Sequence, residues 1–294
     1  MSMLKNRQPF ILAVLCLVLG GCVFSGGAFE KRLDLAEAIA AGAGMQELQV
    51  GTGPFILTTY YKITNKNAPL SVYIEGDGFA WASRTRLSAN PTPKDAFALQ
   101  LAALDNSPNV VYIARPCQYT PIVPGDNCVP KYWSGSRFSE EVVTSVNRAI
   151  SHYAKQFNKP SINLVGYSGG AAVAALIAAR RGDVSSLRTV AGNLDHVAVN
   201  KYHKVDYLDN SLNPVDISNK LKNLPQYHFV GVDDEIIPLS IVAKFAKKTN
   251  QGGNCAKVHS VNGATHYSGW KNLWPALLQR PVSCEGRKFS KTNK

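Results

Sequence analysis

The stretch Ile162-Asn163-Leu164-Val165-Gly166-Tyr167-Ser168-Gly169-Gly170-Ala171-Ala172-Val173-Ala174-Ala175-Leu176-Ile177 changes character at its midpoint. Ile162–Val165 is a short apolar run of the kind that forms a buried strand, and Gly169–Arg181 is an Ala-rich helix that Gly182 ends. Between them lies G-x-S-x-G, from Gly166 to Gly170. A strand that turns this tightly into a helix holds the middle residue in a strained conformation. Side chains beside that residue would collide with neighbouring strands, and glycine at positions 166 and 170 removes the obstacle. The Ser168 hydroxyl then stands above the sheet at the positive end of a helix, which is where a nucleophile is exposed.

Outward from this turn, short β-branched or aromatic runs alternate with longer amphipathic ones, the pattern of strands and crossover helices around a mostly parallel sheet. Phe55–Ile63, Leu70–Glu75, Val110–Ala114, Leu187–Ala191, Tyr227–Val232 and Ala256–Val261 are predicted strands. Lys94–Leu104, Phe138–Phe157, Leu239–Lys248 and Tyr267–Leu278 are predicted helices, with Ser139 capping the second of these and Glu140 and Glu141 in its first turn. The expected fold is α/β, with helices on both faces of the sheet. Residues 193–224 break the pattern and are expected to form at most a small cap. The domain is expected to span 49–284, behind a lead-in at 22–48 and ahead of a basic tail at 285–294.

A serine hydroxyl needs a base within hydrogen-bond reach. Of six histidines, His152 falls in a helix pattern, His228 and His259 in strand patterns, and His196 and His203 in the irregular segment. His266, in Gly263-Ala264-Thr265-His266, follows the last strand and so lies on the rim where Ser168 emerges. The base in turn needs an acid to hold its tautomer. Gly231-Val232-Asp233-Asp234-Glu235-Ile236-Ile237-Pro238 leaves another strand at that rim and offers Asp234, with Asp233 and Glu235 as rivals and Asp195 as a weaker alternative.

The order G-x-S-x-G, G-x-x-D-x-x-I-P, G-x-x-H resembles the α/β-hydrolase superfamily of serine esterases and lipases, from about Leu70 to Leu278. That resemblance implies Ser168 as nucleophile, Asp234 as acid and His266 as base, with no cofactor. It further implies an oxyanion hole of two backbone N–H groups. Gly169 supplies the first. The second comes from Tyr73-Ile74-Glu75-Gly76-Asp77-Gly78, which is similar to the family's His-Gly motif with Glu75 in the usual His position; Asp77 is favoured and Gly78 is second choice. Tyr119, Tyr132, Trp133 and Phe79 are candidate walls of an acyl pocket.

The termini and cysteines bear on location. Lys5 and Arg7 precede the apolar run Phe10–Leu19, which is too short to span a bilayer. Leu19-Gly20-Gly21-Cys22 resembles the lipobox of bacterial lipoproteins, so residues 1–21 are read as a signal peptide and Cys22 as the lipidated first residue of the mature chain. Membrane attachment through that lipid, in the cell envelope and at the outer membrane because Val23 rather than Asp follows Cys22, is the expectation. Removing Lys5 and Arg7 lowers the formal charge from +12 to +10. These charges are scattered rather than striped and no binding motif accompanies them, so nucleic acid is not an expected partner. Cys117, Cys128, Cys255 and Cys284 allow three pairings. The local ones, Cys117–Cys128 and Cys255–Cys284, are the simplest, and no C-x-x-C or H-E-x-x-H spacing suggests zinc. The expected activity is hydrolysis of an ester or related acyl bond on a small substrate. A peptidase or acyltransferase with the same triad, or a non-catalytic binding lipoprotein on the same scaffold, is the alternative.

Overall fold

The computed structural model describes residues 23–123, 125–251 and 253–284. Residues 1–21, expected to be a signal peptide, with Cys22 and the tail at 285–294, lie outside the described residues. In chain order the elements are α1 (Val23–Gly42), β1 (Gln46–Gly51), β2 (Ile56–Ile63), β3 (Leu70–Ile74), α2 (Phe97–Ala103), β4 (Asn109–Ile113), α3 (Glu140–Ala154), β5 (Ile162–Tyr167), α4 (Gly169–Ala178), β6 (Val184–Val190), α5 (His196–His203), β7 (Gln226–Gly231), α6 (Leu239–Thr249), β8 (Ala256–Val261) and α7 (Trp270–Leu278). Two 3₁₀ helices, Pro130–Trp133 and Pro214–Leu221, complete them.

The strands form one sheet in the order β1-β2-β4-β3-β5-β6-β7-β8. β1 and β2 are antiparallel to their neighbours and every pairing from β4 to β8 is parallel. Central strands β3 (Leu-Ser-Val-Tyr-Ile) and β4 (Asn-Val-Val-Tyr-Ile) are buried at every position, as strands covered on both faces must be. One apolar cluster joins Leu57, Val72, Ile74 and Leu164 to α3, α4 and α6; the other joins Tyr60, Tyr73, Tyr112 and Phe229 to α1, α2 and α7. The sheet is thus the middle of three layers. Helix α4 is buried along its whole length, and its alanines and glycines let its backbone lie close to the sheet. Ser139 caps α3 by accepting from the Val142 N–H, with Glu140 and Glu141 in the first turn.

Two expectations need correction. The lead-in 22–48 contains α1 and the start of β1, which belong to the domain: Ala36 and Ala40 are buried, the Arg32 guanidinium donates to the Thr92 carbonyl at 2.9 Å, and β1 pairs with β2. The apolar face of α1 rests largely on small alanines, which gives a faint periodicity. Residues 193–224 are not one cap. Their first half forms α5 on the carboxyl rim, where His203 Nε2 lies 2.8 Å from the Ile236 carbonyl. Their second half returns as the 3₁₀ helix Pro214–Leu221 to the flank of the domain, where Asp216, Ile217 and Lys220 line a cleft with Leu176 and Arg180 of the α4 region.

Cys117 is joined to Cys128 and Cys255 to Cys284. The second bridge brackets β8, the His266 loop and α7, and closing a loop of that size stabilises by about 3–4 kcal/mol in the chain-entropy estimate. No helix among the described residues is long and apolar enough to cross a membrane.

Candidate active site

The chain runs from β3 outward to β4 and then back across to β5, so the direction of winding reverses between the adjacent strands β3 and β5. Crevices that hold ligands form at the carboxyl ends of strands at such a point. The loops leaving β3 and β5 meet there: a Cβ built on Gly76 would stand 3.3 Å from the Ser168 Cβ.

Ser168 sits at φ 50°, ψ −119° as the N-cap residue of α4. That backbone is strained for a residue with a side chain, by about 1–3 kcal/mol. The surroundings enforce it. A Cβ on Gly166 would lie 2.5 Å from the Ala171 Cα, and one on Gly170 would lie 2.3 Å from the Ile74 carbonyl oxygen, so only glycine fits at either side.

His266 reaches Ser168 from the loop after β8, with Nε2 3.0 Å from the Ser168 Oγ. The loop is held at several points. Tyr167 donates its hydroxyl to the His266 carbonyl at 3.0 Å, Trp270 Nε1 donates to the Thr265 carbonyl at 2.7 Å, and the Asp233 N–H donates to the Ala264 carbonyl at 3.2 Å. Asp234 lies on the other side of the imidazole, with Oδ2 3.0 Å and Oδ1 3.2 Å from Nδ1. Its Oδ1 also accepts the N–H groups of Ile236 and Ile237 at 2.9 and 2.8 Å. Both His266 and Asp234 are buried. Asp233 and Glu235 are exposed, and Asp195 caps α5 by accepting from the Ala198 N–H and the Asn213 side chain.

Gly76 and Asp77 lie against Ser168 and Gly169, whereas Gly78 lies against the Pro91 carbonyl and Gln118. Among the described residues no acceptor takes the N–H of Gly169 or of Asp77. Glu75, in the position where the resemblance expects histidine, is buried and holds this loop in place. Its carboxylate accepts from the Gly76 N–H at 2.8 Å, from the Ala98 N–H at the start of α2 and from the Tyr112 hydroxyl at 3.0 Å. It stands in for the cap that Ala96, the N-cap residue of α2, cannot provide.

Burial pushes the Glu75 carboxyl up to about 6, against the pull of those donors. Because its folded-state value lies above the unfolded 4.5, the folded protein holds an extra proton between these values, and stability falls as pH rises through that window. The unfolding free energy of wild type minus that of Glu75→Gln should therefore drop by about 2 kcal/mol between pH 4.5 and 7 and be flat above it. Urea titrations at the two pH values test this, and a pH-independent difference would sink it.

Of the proposed pocket walls, Tyr132 and Trp133 line a small cavity with Asp77, Pro91, Arg115, Pro116, Gln118 and Arg137. Tyr119 packs instead in the Tyr73–Tyr112 cluster, and Phe79 lies under Arg32 and Lys94 at 4.7 and 4.2 Å. The carboxylate of Asp77 has a partner set that the sequence does not betray: it lies 3.4 Å from both Arg115 and Arg137, which are far from it and from each other along the chain. Among the described residues no group of three or more His, Cys, Asp or Glu is arranged to hold a metal.

No protein-family model matches the chain, and no curated protein matches it in sequence. Solved structures do resemble it. An acylaminoacyl peptidase of Pyrococcus horikoshii is 12% identical with a TM-score of 0.60, covering 85% of this chain and 43% of its own, so this chain spans less than half of that protein. The Pyrococcus furiosus esterase Pf2001 is 11% identical with a TM-score of 0.57, covering 80% of this chain and 90% of its own. An alpha-beta serine hydrolase homologue from Coxiella burnetii is 14% identical with a TM-score of 0.53, covering 79% and 93%. The likeness extends to the layered sheet and its winding. The chain has the α/β-hydrolase fold.

Proposed function

We propose that the protein is a serine hydrolase that cleaves an ester or a related acyl bond. One observation carries this: the unbroken relay from Ser168 Oγ to His266 Nε2 at 3.0 Å and from His266 Nδ1 to Asp234 Oδ2 at 3.0 Å. In this mechanism His266 takes the proton of Ser168 as the hydroxyl attacks the carbonyl carbon, and Asp234 holds the imidazole with its proton on Nδ1. The N–H groups of Gly169 and Asp77 receive the developing oxyanion. His266 then gives its proton to the departing alkoxide. Water, deprotonated by the same imidazole, cleaves the acyl-enzyme, so that ester and water become acid and alcohol. The chemistry calls for no cofactor.

A fluorophosphonate probe followed by peptide mapping tests the reading. Label on Ser168 is the expected result, and a protein that takes no label is a binding scaffold rather than an enzyme. The same relay serves peptidases and acyltransferases, and a panel of esters and acylated peptides separates these. We further propose that Cys22 carries lipid and tethers the domain to the envelope membrane, a reading that the two disulfides suit because they persist in oxidising compartments. Cys22→Ala should then leave the membrane fraction; partition with membranes after a high-salt wash would exclude lipid as the anchor.

A further inference from the structure

Beside Ser168, the chain buries more positive charge than it pairs at close range. Arg115 follows β4 and Arg137 precedes α3, and their side chains are 4% and 15% exposed. They share one carboxylate, Asp77, which contacts each guanidinium through a single oxygen at 3.4 Å rather than by a two-pronged fork. Arg115 also donates to the Arg137 carbonyl, but its Nε is buried without an acceptor. The Arg137 Nε is likewise buried and unpartnered, and among the described residues no acceptor takes a hydrogen bond from its guanidinium. Glu75, at the other end of the loop, spends its oxygens on Gly76, Ala98 and Tyr112. The Phe138 ring lies 5.4 and 5.7 Å from the two guanidinium carbons and offers a face, not an acceptor.

A buried guanidinium with few partners is costly in the free protein, and an anion arriving at the terminal nitrogens of Arg137, whose one close acceptor is Asp77 at 3.4 Å, lowers that cost. The planar fork matches a carboxylate. The location ties this to the chemistry, because both arginines line the small cavity with Asp77, and the Asp77 carboxylate touches Gly169, where a Cβ would stand only 1.9 Å from Oδ1.

We propose that Arg137, backed by Arg115, binds a carboxylate carried by the substrate, so that the protein prefers esters bearing a carboxylate close to the scissile bond. This rests on the serine hydrolase reading and adds the substrate class to it. The carboxylate has two possible sources, the acyl chain or the alcohol, and two pairs of substrates tell them apart: monomethyl glutarate against methyl valerate, and para-acetoxybenzoate against phenyl acetate. In one pair the charged ester should exceed the neutral one in kcat/KM by about tenfold or more, mainly through KM. Arg137→Gln should collapse that ratio towards one, and Arg137→Lys should keep part of it, since the charge survives but the fork does not.

Equal rates within both pairs would overturn the proposal. So would an unchanged ratio in Arg137→Gln with both esters slowed alike, which is what a purely structural arginine gives. Should Arg137→Gln fail to fold, the wild-type ratio and the Lys variant decide. Labelling of Ser168 by a fluorophosphonate without any charge preference removes this inference alone, whereas absence of labelling removes the hydrolase reading beneath it.

Discussion

Ser168→Ala should lower kcat by on the order of 10⁴-fold or more and abolish fluorophosphonate labelling, while the protein stays folded. Both halves follow from the site. The Ser168 Oγ is the atom 3.0 Å from the His266 Nε2, and among the described residues no other hydroxyl is bonded to that nitrogen. Removing it deletes the proposed nucleophile and one hydrogen bond worth about 1 kcal/mol, which for a domain of this size is a melting-temperature change of only a few degrees. The backbone strain at φ 50° is unaffected, because alanine meets the same hindrance as serine. Activity within a few-fold of wild type would take Ser168 out of the mechanism. A large fall in melting temperature would instead mean that the turn depends on the hydroxyl for its shape.

Much of this architecture is legible in the sequence because its causes are local. The apolar run Ile162–Val165, the two glycines around Ser168 and the alanines that follow each constrain the chain within a few residues, and together they define β5, the turn and α4. The loop positions of Asp234 and His266 are legible for the same reason, since each directly follows a strand marked by its own short run of residues. What sequence leaves hidden is of two kinds. Helix α1 has Ala36 and Ala40 as its fully buried side chains, too small to mark a face, and β1 has one buried residue, Val50, in six. The second kind is non-local. Asp77, Arg115 and Arg137 come from three separate loops and meet only because β3 and β4 are neighbours and the α3 lead-in folds over them. The same holds for Glu75, whose role depends on Tyr112 one strand away and on the start of α2. The sequence points to Asp77 for its backbone N–H alone, and its side chain joins the loop beside Ser168 to the buried arginines.

Asp234→Asn is the sharper test of the relay, because the surrounding hydrogen bonds dictate how the amide must sit. In the wild type Oδ1 accepts two backbone N–H groups, from Ile236 and Ile237, at 2.9 and 2.8 Å. An asparagine has one acceptor oxygen, and it must take that position, since the alternative sets an NH₂ against two donors. The NH₂ therefore occupies the place of Oδ2, 3.0 Å from the His266 Nδ1. Facing a donor, Nδ1 must accept, so the imidazole carries its proton on Nε2 and presents an N–H to Ser168 where it needs a lone pair. The expected loss is about 10³–10⁴-fold in kcat and in the rate of fluorophosphonate labelling, with KM little changed and the melting temperature within a few degrees, since the Oδ1 bonds survive. Asp233→Asn and Glu235→Gln, both exposed, should stay within about threefold of wild type, as surface changes away from the relay do. Turnover of Asp234→Asn within tenfold of wild type, or an equal loss in Asp233→Asn, would mean that His266 is held in its working tautomer by something other than Asp234.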